Sequence, residues 1–422
     1  MVYITFREAR NVCRKKSLRK SNFTILEFYE RHRNGGFYGF KTYELETLKE
    51  NEKGCILHSR ILWFYSNTYL TIGGEDNLKN ATHTYEFIKK YCFDNVYGGI
   101  YWMLNADGSV KDPIKNAYNQ AFCIYGLASY YRATKNQEAL ALAYRLFECL
   151  ETYCKDDYGY KEAFTQDWKA PVESAICDQG VVAEKTMNTL LHVLEAYTEL
   201  FLADAHPVVG EALAKTLEIA AHKVYNPEFV RLETFFDSKM GSLADIHSYG
   251  HDIEATWLLD RGAKVLEDVI SKDSGKHAYY SPKALEIAKE TLSYTPLVAK
   301  RILDVAFDGE ALNNESRGEI AEAKGLGQEH VDTDRIWWVQ AEAVVGFVNA
   351  YEVTKDEKYL EAAKKIFSYI ENVLTDKRPD SEWFWAVSKD GKPDTHGITE
   401  PWKCPYHNGR MCLELISRGF DK

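Results

Sequence analysis

Histidines recur on the most apolar helical segments of this chain, where a polar ring is costly to bury. His192 follows Asn188 by four residues, so both lie on one face of a helix, and His251 and Glu254 lie near the start of another apolar segment. His407 stands at the start of the last such segment. Because histidine titrates near pH 6.5, these groups can take and return a proton at neutral pH.

Together with an arginine, these histidines could transfer protons to and from a carbon atom. Two imidazoles on opposite faces of a flat intermediate can exchange protons with either face of a carbon atom, and Arg60 can hold the oxygen on which negative charge grows. This favours removal of a proton next to a carbonyl and its return to the other face. An opened aldose has such a proton at C2, and tryptophans can stack on sugar rings.

Polar and aromatic residues near the starts of the buried segments form a larger set of candidates. Each alone is more ordinary as a core residue, and Arg60, for example, is also explained by an ion pair with Glu342. Four of six such segments place a histidine at a similar position, which favours one shared pocket. The candidates are His58, Arg60, Tyr118, Asn119, Gln120, Asn188, His192, His247, His251, Glu254, Trp337, Trp338, Gln340, Glu342, Trp402, Tyr406, His407 and Arg410.

Three other functions stay open at this point. His247 and His251 have the spacing of a zinc-hydrolase pair, but Ser248 stands where that motif needs glutamate. Glu254 and Glu342 are candidates for the two carboxylates of a glycoside hydrolase. A sugar-binding protein without catalysis has little use for several histidines in one pocket.

Six segments that are apolar nearly all round are predicted to be buried helices. They recur at intervals of 60 to 86 residues, as internal repeats do. The six segments are 56–70, 116–132, 184–201, 249–266, 335–354 and 408–419.

Amphipathic segments alternate with the buried ones and predict helices with one dry and one wet face. The alternation predicts an all-α fold, an (α/α)6 barrel, with short β-hairpins at one end where glycine-aromatic stretches occur. An α-solenoid is less suitable because it offers no deep pocket. The amphipathic segments are 18–31, 81–92, 138–153, 207–225, 282–303 and 357–374.

The chain is predicted to be a single catalytic domain over residues 1–422. Residues 1–17 are expected to be a frayed segment, and the polar, glycine-containing stretch 308–334 is expected to be a lid loop. The formal charge of −11 argues against nucleic-acid binding. Nine scattered cysteines without a C-x-x-C pair suit a reducing cytoplasm, and neither a signal peptide nor an 18-residue apolar run is found.

Long motifs then identify a resemblance to the N-acylglucosamine 2-epimerase superfamily, in particular to its disaccharide-specific branch. The resemblance extends from about residue 30 to the end of the chain. It is carried by GGFYG (35–39), LHSRILW (57–63), YNQAF (118–122), KTMNTLLHVLEAYTELF (185–201), DIHSYGHDIEATWLL (245–259), ALNNE (311–315), WWVQAEAVVGF (337–347) and PWKCPYHNGRMC (401–412).

The resemblance implies an (α/α)6 barrel that inverts C2 of a reducing-end glucose without a metal or cofactor. Implied substrates are β-1,4-linked disaccharides such as cellobiose and lactose; mannobiose and N-acetylglucosamine stay open, and a monomer without nucleic-acid or membrane partners is expected. The implied roles are the acid/base pair for His251 and His407, ring opening for His192, binding of the C1 oxygen for Arg60, orientation of a histidine for Glu254, and sugar contact for Tyr118, Asn188, Trp338 and Trp402.

Overall fold

Six helices form a closed inner ring in the computed structural model, which describes residues 35–172, 181–272 and 282–420. Each helix packs on the next, and the last packs on the first, so the predicted (α/α)6 barrel is confirmed. The inner helices are α1 (Cys55–Ile72), α3 (Ala117–Thr134), α5 (Met187–Asp204), α7 (Tyr249–Lys272), α10 (Trp337–Thr354) and α12 (His407–Ser417).

Five helices of the described residues form the outer layer, and each packs on the inner helix that precedes it. The sixth predicted outer helix, 18–31, lies outside the described residues, as does the predicted frayed segment 1–17. The outer helices are α2 (Glu75–Phe87), α4 (Gln137–Cys149), α6 (Pro207–Ile219), α8 (Pro282–Val305) and α11 (Glu357–Tyr369).

The turn from an inner to an outer helix repeats along the chain. α3, α5 and α10 each end at a residue in the left-handed conformation, and the next residue caps the following helix with its side chain. At the other end, four outer helices widen into five-residue π-helical turns, at Ile88–Cys92, Leu150–Cys154, Ala220–Val224 and Ile370–Leu374.

Close approach of the inner helices depends on glycine at two contacts. A Cβ atom on Gly126 of α3 would lie 2.7 Å from the Ser59 carbonyl oxygen of α1. One on Gly346 of α10 would lie 2.6 Å from the Ile253 carbonyl oxygen of α7. Neither position can therefore take a larger residue without moving the ring.

Short antiparallel strands lie at the end of the barrel where the inner helices begin, as predicted for the hairpins. β1–β2–β3 and β10–β11–β12 are three-stranded, and β4–β5, β6–β9, β7–β8 and β13–β14 are pairs. The strands are β1 (Lys53–Gly54), β2 (Met103–Leu104), β3 (Val110–Asp112), β4 (Lys115–Asn116), β5 (Ala163–Phe164), β6 (Lys185–Thr186), β7 (Tyr225–Asn226), β8 (Arg231–Leu232), β9 (Phe235–Phe236), β10 (Ile246–Ser248), β11 (Glu315–Arg317), β12 (His330–Asp332), β13 (Arg335–Ile336) and β14 (Ala386–Val387).

A strand directly precedes five of the six inner helices, so their first turns are fixed by sheet hydrogen bonds. Residues 308–334, predicted as a lid loop, contain β11, β12 and the short helix α9 (Glu319–Ala323). Closure of this segment over a substrate stays a prediction. In the part of the chain that is described, each helix is too short or too polar to cross a lipid bilayer.

Candidate active site

A cavity of about 260 Å³ lies at the end of the barrel where the inner helices begin. The nine residues predicted for catalysis or sugar contact all line it: Arg60, Tyr118, Asn188, His192, His251, Glu254, Trp338, Trp402 and His407. The other lining residues are Thr186, Met187, Thr234, Phe235, Ser248, Trp337 and Trp385. Residues separated by up to 347 positions along the chain therefore meet in one place.

His251 and His407 lie against the same indole ring. The ring centroids of His251 and Trp338 are 4.7 Å apart, and those of His407 and Trp338 are 5.6 Å apart. The two imidazoles come from the first turns of α7 and α12, respectively. Two bases can therefore approach one bound molecule from different helices.

Ser248 fixes the orientation of the His251 ring. The Ser248 Oγ lies 2.8 Å from His251 Nδ1, so Nε2 is the ring nitrogen that does not take part in this hydrogen bond. Burial, together with the nearby His192, lowers the pKa of His251 to about 3, so the ring is neutral at neutral pH and can accept a proton. Ser248 was not predicted as a site residue. Its position three residues before His251 is the sequence feature that could have indicated a local hydrogen bond between them.

Glu342 is the hydrogen-bond partner of His407. The Glu342 Oε1 lies 2.8 Å from His407 Nδ1, whereas the Glu254 Oε1 lies 4.0 Å away. Glu254 was predicted to orient a histidine. In the structure it is mainly Glu342 that orients His407. Burial, together with the positive charge of Arg410, lowers the pKa of the His407 ring well below its usual value.

Arg410 joins three carboxylates directly beneath the cavity. Its guanidinium donates hydrogen bonds to Glu195 and Glu254, and its Nη2 lies 2.7 Å from Glu342 Oε1. Glu254, Glu342 and Arg410 are each no more than 1% exposed. One positive charge is therefore shared by three buried acids.

The sharing separates the pKa values of these acids. Burial raises the pKa of Glu254 to about 8, with the neighbouring Glu342 adding to the rise. Burial also raises the pKa of Glu342, while Arg410 opposes that rise. In Glu195 the effect of burial is exceeded by Arg410 and His192, which lower its pKa to about 2. The cluster therefore retains a proton at neutral pH, on the Glu254 and Glu342 side.

His192 is held by the ionised acid. Its Nδ1 lies 2.9 Å from Glu195 Oε2, and the ring packs edge-on against Tyr118 at a centroid distance of 5.0 Å. Since Nδ1 donates to the carboxylate, Nε2 is the acceptor left on the ring. Burial lowers the pKa of His192, with Glu195 opposing the decrease.

Arg60 is fixed by groups of the cavity wall. Its Nη2 donates to the Tyr118 hydroxyl at 2.7 Å and its Nη1 donates to the Trp402 carbonyl at 2.7 Å. The suggested ion pair between Arg60 and Glu342 is wrong, because Glu342 is bound to Arg410 instead. Among the described residues, no carboxylate is bonded directly to Arg60, so its charge is not cancelled by an ion pair there.

Several polar atoms at the cavity have no protein partner among the described residues. They are Arg60 Nε, Asn188 Oδ1, Thr234 Oγ1 and Trp337 Nε1. Buried polar atoms are normally hydrogen-bonded, so a cluster of exceptions at one cavity indicates a ligand rich in hydroxyl groups. Thr234 carries no periodicity signal in the sequence and was not predicted.

The histidine on the first buried helix does not reach the cavity. His58 accepts a hydrogen bond from the Phe37 backbone at 3.1 Å and donates one to the Gly54 carbonyl at 2.9 Å. Three of the four inner helices with a histidine near their start, rather than all four, therefore contribute one to the pocket. The bonds of His58 hold the chain before β1 onto α1.

Two buried glutamines also have structural partners. Gln120 bonds both backbone groups of Ile100, and Gln340 bonds both backbone groups of Leu312. Each inner helix thereby holds the hairpin that follows an outer helix. Asn119 similarly donates to the Tyr101 carbonyl at 2.8 Å.

The alternative zinc pair does not form. His247 bonds Asp252 and Glu319, while His251 bonds Ser248 and faces the cavity. A different trio, Glu254, Glu342 and His407, has ligand atoms within 4.8 Å of one another. The Arg410 guanidinium already bonds both of those carboxylates and supplies a positive charge there.

Comparison with known proteins agrees with this geometry. The family model of N-acylglucosamine 2-epimerase matches residues 35–408. A cellobiose 2-epimerase of Ruminococcus albus is 47% identical, over 94% of this chain and 96% of the relative. A solved sugar epimerase from a ruminal bacterium superposes with a TM-score of 0.88 at 44% identity, over 97% of this chain and 99% of that one. The cellobiose 2-epimerase of Bacillus thermoamylovorans superposes with a TM-score of 0.86 at 36% identity, over 97% and 99%. The chain belongs to the N-acylglucosamine 2-epimerase family.

Proposed function

We propose that this chain is an isomerase that inverts C2 of the reducing-end glucose of cellobiose, giving glucosyl-mannose, and that it converts lactose in the same way. The observation that carries the proposal is the pair of neutral imidazoles, His251 and His407, which both lie against Trp338 in one cavity. The relatives named as cellobiose 2-epimerases support the choice of disaccharide.

The first step is binding and opening of the reducing-end ring. Trp338 and Trp402 stack on the sugar, while Tyr118 and Asn188 bond its hydroxyl groups. His192 takes the proton of the C1 hydroxyl on Nε2 and returns a proton to the ring oxygen as the C1–O5 bond breaks. The hydrogen bond from His192 Nδ1 to Glu195 stabilises the imidazolium that forms briefly.

The second step removes the proton at C2. One imidazole takes that proton, the electrons of the C–H bond form a C1=C2 double bond, and the carbonyl electrons move to O1. The cis-enediolate that results carries its negative charge on O1, next to the guanidinium of Arg60. Arg60 suits this task because the groups that hold it, a hydroxyl and a carbonyl, leave its charge available.

The third step returns a proton to the other face of C2. Rotation about C2–C3 presents that face to the second imidazole, the C1 carbonyl reforms, and the ring closes. His407 can deliver a proton from Nε2 while its Nδ1 receives the proton that the Glu254 and Glu342 cluster retains. The first imidazole then releases its proton to solvent. His407 takes a proton from solvent on Nε2 and returns its Nδ1 proton to the carboxyl cluster, which restores the starting state.

The proposal includes neither a metal nor a cofactor, because Arg60 and Arg410 supply the positive charges that the steps need. We also infer a cytoplasmic, monomeric protein whose partner is the small disaccharide, without nucleic-acid or membrane partners. The cysteines support the location, since free buried thiols suit a reducing compartment. They include Cys55, Cys92, Cys123, Cys149, Cys154 and Cys404.

Reaction in D2O tests the proposal. Incubation with cellobiose is expected to give glucosyl-mannose with deuterium at C2, as measured by NMR. Cellobiose, lactose, mannobiose and N-acetylglucosamine are compared under the same conditions. Epimer without solvent label would contradict the proton transfer, reaction of N-acetylglucosamine alone would contradict the disaccharide assignment, and cleavage of the glycosidic bond would favour a hydrolase.

A further inference from the structure

His247 lies outside the cavity, yet both of its ring nitrogens are bonded to carboxylates. Its Nε2 lies 3.0 Å from Asp252 Oδ2 and its Nδ1 lies 3.1 Å from Glu319 Oε2. The side chain is 1% exposed. Burial raises the pKa of Asp252, but hydrogen bonds from His247 and from the Leu232 backbone N–H to its oxygens oppose that rise. With both acids ionised, both ring nitrogens donate, and only the imidazolium carries two N–H groups.

The surroundings of the ring agree with a positive charge. Burial alone lowers the pKa of His247, but the hydrogen bonds of Asp252 and Glu319 exceed that effect and raise it. The Tyr249 ring packs against the imidazole at a centroid distance of 4.8 Å. Two acids and one aromatic ring thus enclose the protonated form.

Two arginines are also bonded to one of those acids, Glu319. Glu319 also accepts hydrogen bonds from Arg231, at 3.1 Å, and from Arg301 of α8. Arg231 is in turn bound to Glu233 and to Asp245. The network around His247 therefore holds four carboxylates against two guanidinium groups, and the imidazolium brings the charges closer to balance.

The two acids belong to separate parts of the fold. Asp252 lies in the first turn of α7, next to His251, whereas Glu319 begins α9 in the segment between β11 and β12. His247 itself pairs with Ser316 across the β10–β11 ladder. Its imidazolium consequently bridges the α9 segment to the helix turn that carries a proposed catalytic base.

The position of Ser248 makes this bridge relevant to catalysis. Ser248 directly follows His247 in β10, and its hydroxyl lies 2.8 Å from His251 Nδ1. A shift of β10 relative to α7 would therefore move the hydroxyl that sets the orientation of the His251 ring. Displacement of a reacting group by about 1 Å can cost roughly 10²-fold in rate.

We propose that His247, protonated on both ring nitrogens, is a positioning residue that ties α9 to the first turn of α7 and thereby holds Ser248 and His251 at the cavity. The catalytic part of this inference rests on the proposed epimerase activity. Loss of one of the two ring protons breaks one of the two bonds, so the tie weakens as the pH rises through the titration of His247.

An NMR titration tests the charged state without reference to any substrate. Protein labelled with ¹⁵N in histidine is titrated from pH 6 to 10, and His247→Asn identifies the signal. We expect an imidazolium at pH 7 in the wild type. Glu319→Gln removes one acidic partner and should lower the midpoint by about 1 pH unit or more. A neutral His247 at pH 7 in the wild type would overturn the proposal.

Glu329→Gln is the matched control, because Glu329 is an exposed acid in the same segment, outside the network. It should leave the His247 midpoint unchanged. An equal shift in Glu329→Gln and Glu319→Gln would mean that general charge, rather than the bond to His247, sets the titration.

The rate of epimerisation tests the positioning role. The kcat of the wild type should fall at alkaline pH with the midpoint of His247, and that limb should move to lower pH in Glu319→Gln by the shift seen in the NMR titration. His247→Asn should lower kcat by about 10- to 100-fold with little change in KM. Alkaline limbs that coincide in the wild type and Glu319→Gln would overturn the positioning role. A wild type that epimerises no sugar would instead contradict the proposed function, while the NMR result would still decide the charge of His247.

Discussion

Two buried charged clusters lie at different depths in the inner ring, and neighbouring turns of α5 contribute to both. Glu195 belongs to the cluster beneath the cavity, where three carboxylates share Arg410. Glu199, one turn later, lies further along α5 from the cavity. It is bound by Arg132 and by Arg261, the latter at 2.6 Å.

The two clusters differ in the balance of their charges. In the Glu199 cluster, burial would raise the pKa of Glu199, but Arg132 and Arg261 exceed that effect and lower it. At the cavity, burial and the nearby Glu342 raise the pKa of Glu254 to about 8. The Glu199 cluster has two arginines for one carboxylate, which stays ionised. The cavity cluster has one arginine for three carboxyl groups, one of which keeps a proton.

This difference separates a structural network from a reactive one within the same ring. A carboxylate that is bound by two arginines stays ionised at neutral pH and does not exchange protons, so its role is to join helices. A cluster with excess acid next to neutral histidines can exchange protons readily. In the described part of the chain, buried polar atoms of Asn188 and Trp337 at the cavity also have no hydrogen-bond partner, as expected for a site that binds a ligand.

The largest expected effect is the loss of either proposed catalytic base. His251→Ala and His407→Ala should each reduce epimerisation of cellobiose by about 10²- to 10⁴-fold, because each removes one of the two proton-transfer groups. Initial rates and circular dichroism measure activity and folding, respectively. His222→Ala is the control, since His222 is an exposed histidine bound to Glu290 and should keep its rate. A His251 or His407 variant that keeps most of its rate would remove that residue from the mechanism.

The next effect compares one acid from each cluster. Glu342→Gln should lower kcat by roughly 10²-fold, because His407 loses the acid that supplies a proton to its Nδ1, with little loss of stability. Glu199→Gln should keep the rate per folded molecule but lower the free energy of unfolding by about 1–3 kcal/mol, because it weakens a buried ion pair. Rates and urea unfolding curves measure the two quantities. The distinction between the clusters fails if both variants lose activity to a similar extent.

A smaller effect concerns the pH dependence of stability. The pKa of Glu254 is higher in the folded protein, about 8, than in the unfolded chain, so the stabilisation from its bound proton is lost as the pH rises through the folded value. Between pH 6 and 9 the wild type should lose about 3 kcal/mol of unfolding free energy through this group. Glu254→Gln has no such proton to lose and should show a flatter profile. Parallel profiles for the two proteins would contradict the raised pKa.

The smallest expected effect is that of chelation. Dialysis against EDTA should leave the rate of epimerisation unchanged, because Arg410 already provides the positive charge between Glu254 and Glu342. The control is dialysis without EDTA, followed by addition of zinc to both samples. Activity lost on chelation and restored by zinc would point to a metal at Glu254, Glu342 and His407.

The fold and the wall of the cavity follow closely from the sequence. Segments apolar on nearly all sides are typical of helices buried on most sides, and the predicted bounds of the inner helices lie within three residues of the observed ones, except that α7 extends six residues beyond its predicted end. The spacing of Asn188 and His192 placed both on one face, and both line the cavity. The face on which a residue lies depends only on its own helix, so it can be predicted from that segment of the sequence alone.

The partners of buried charges could not be predicted in the same way. Which acid bonds His407 depends on how α7, α10 and α12 are rotated about their axes, and helical periodicity does not fix rotation to the accuracy of a hydrogen bond. Glu342 therefore has the contact expected of Glu254. One signal was present, since Glu342 follows Trp338 by four residues and so shares its face.

The most direct measurement of the central claim follows the C2 proton separately from the two epimers. His251→Gln and His407→Gln are each incubated in D2O with cellobiose and, separately, with glucosyl-mannose. With one base on each face of the carbon, each variant should exchange the C2 proton of one epimer only, the two variants should exchange opposite epimers, and neither should interconvert them. Exchange of the same epimer by both variants, or epimerisation by either, would contradict the assignment of His251 and His407 to opposite faces of one carbon.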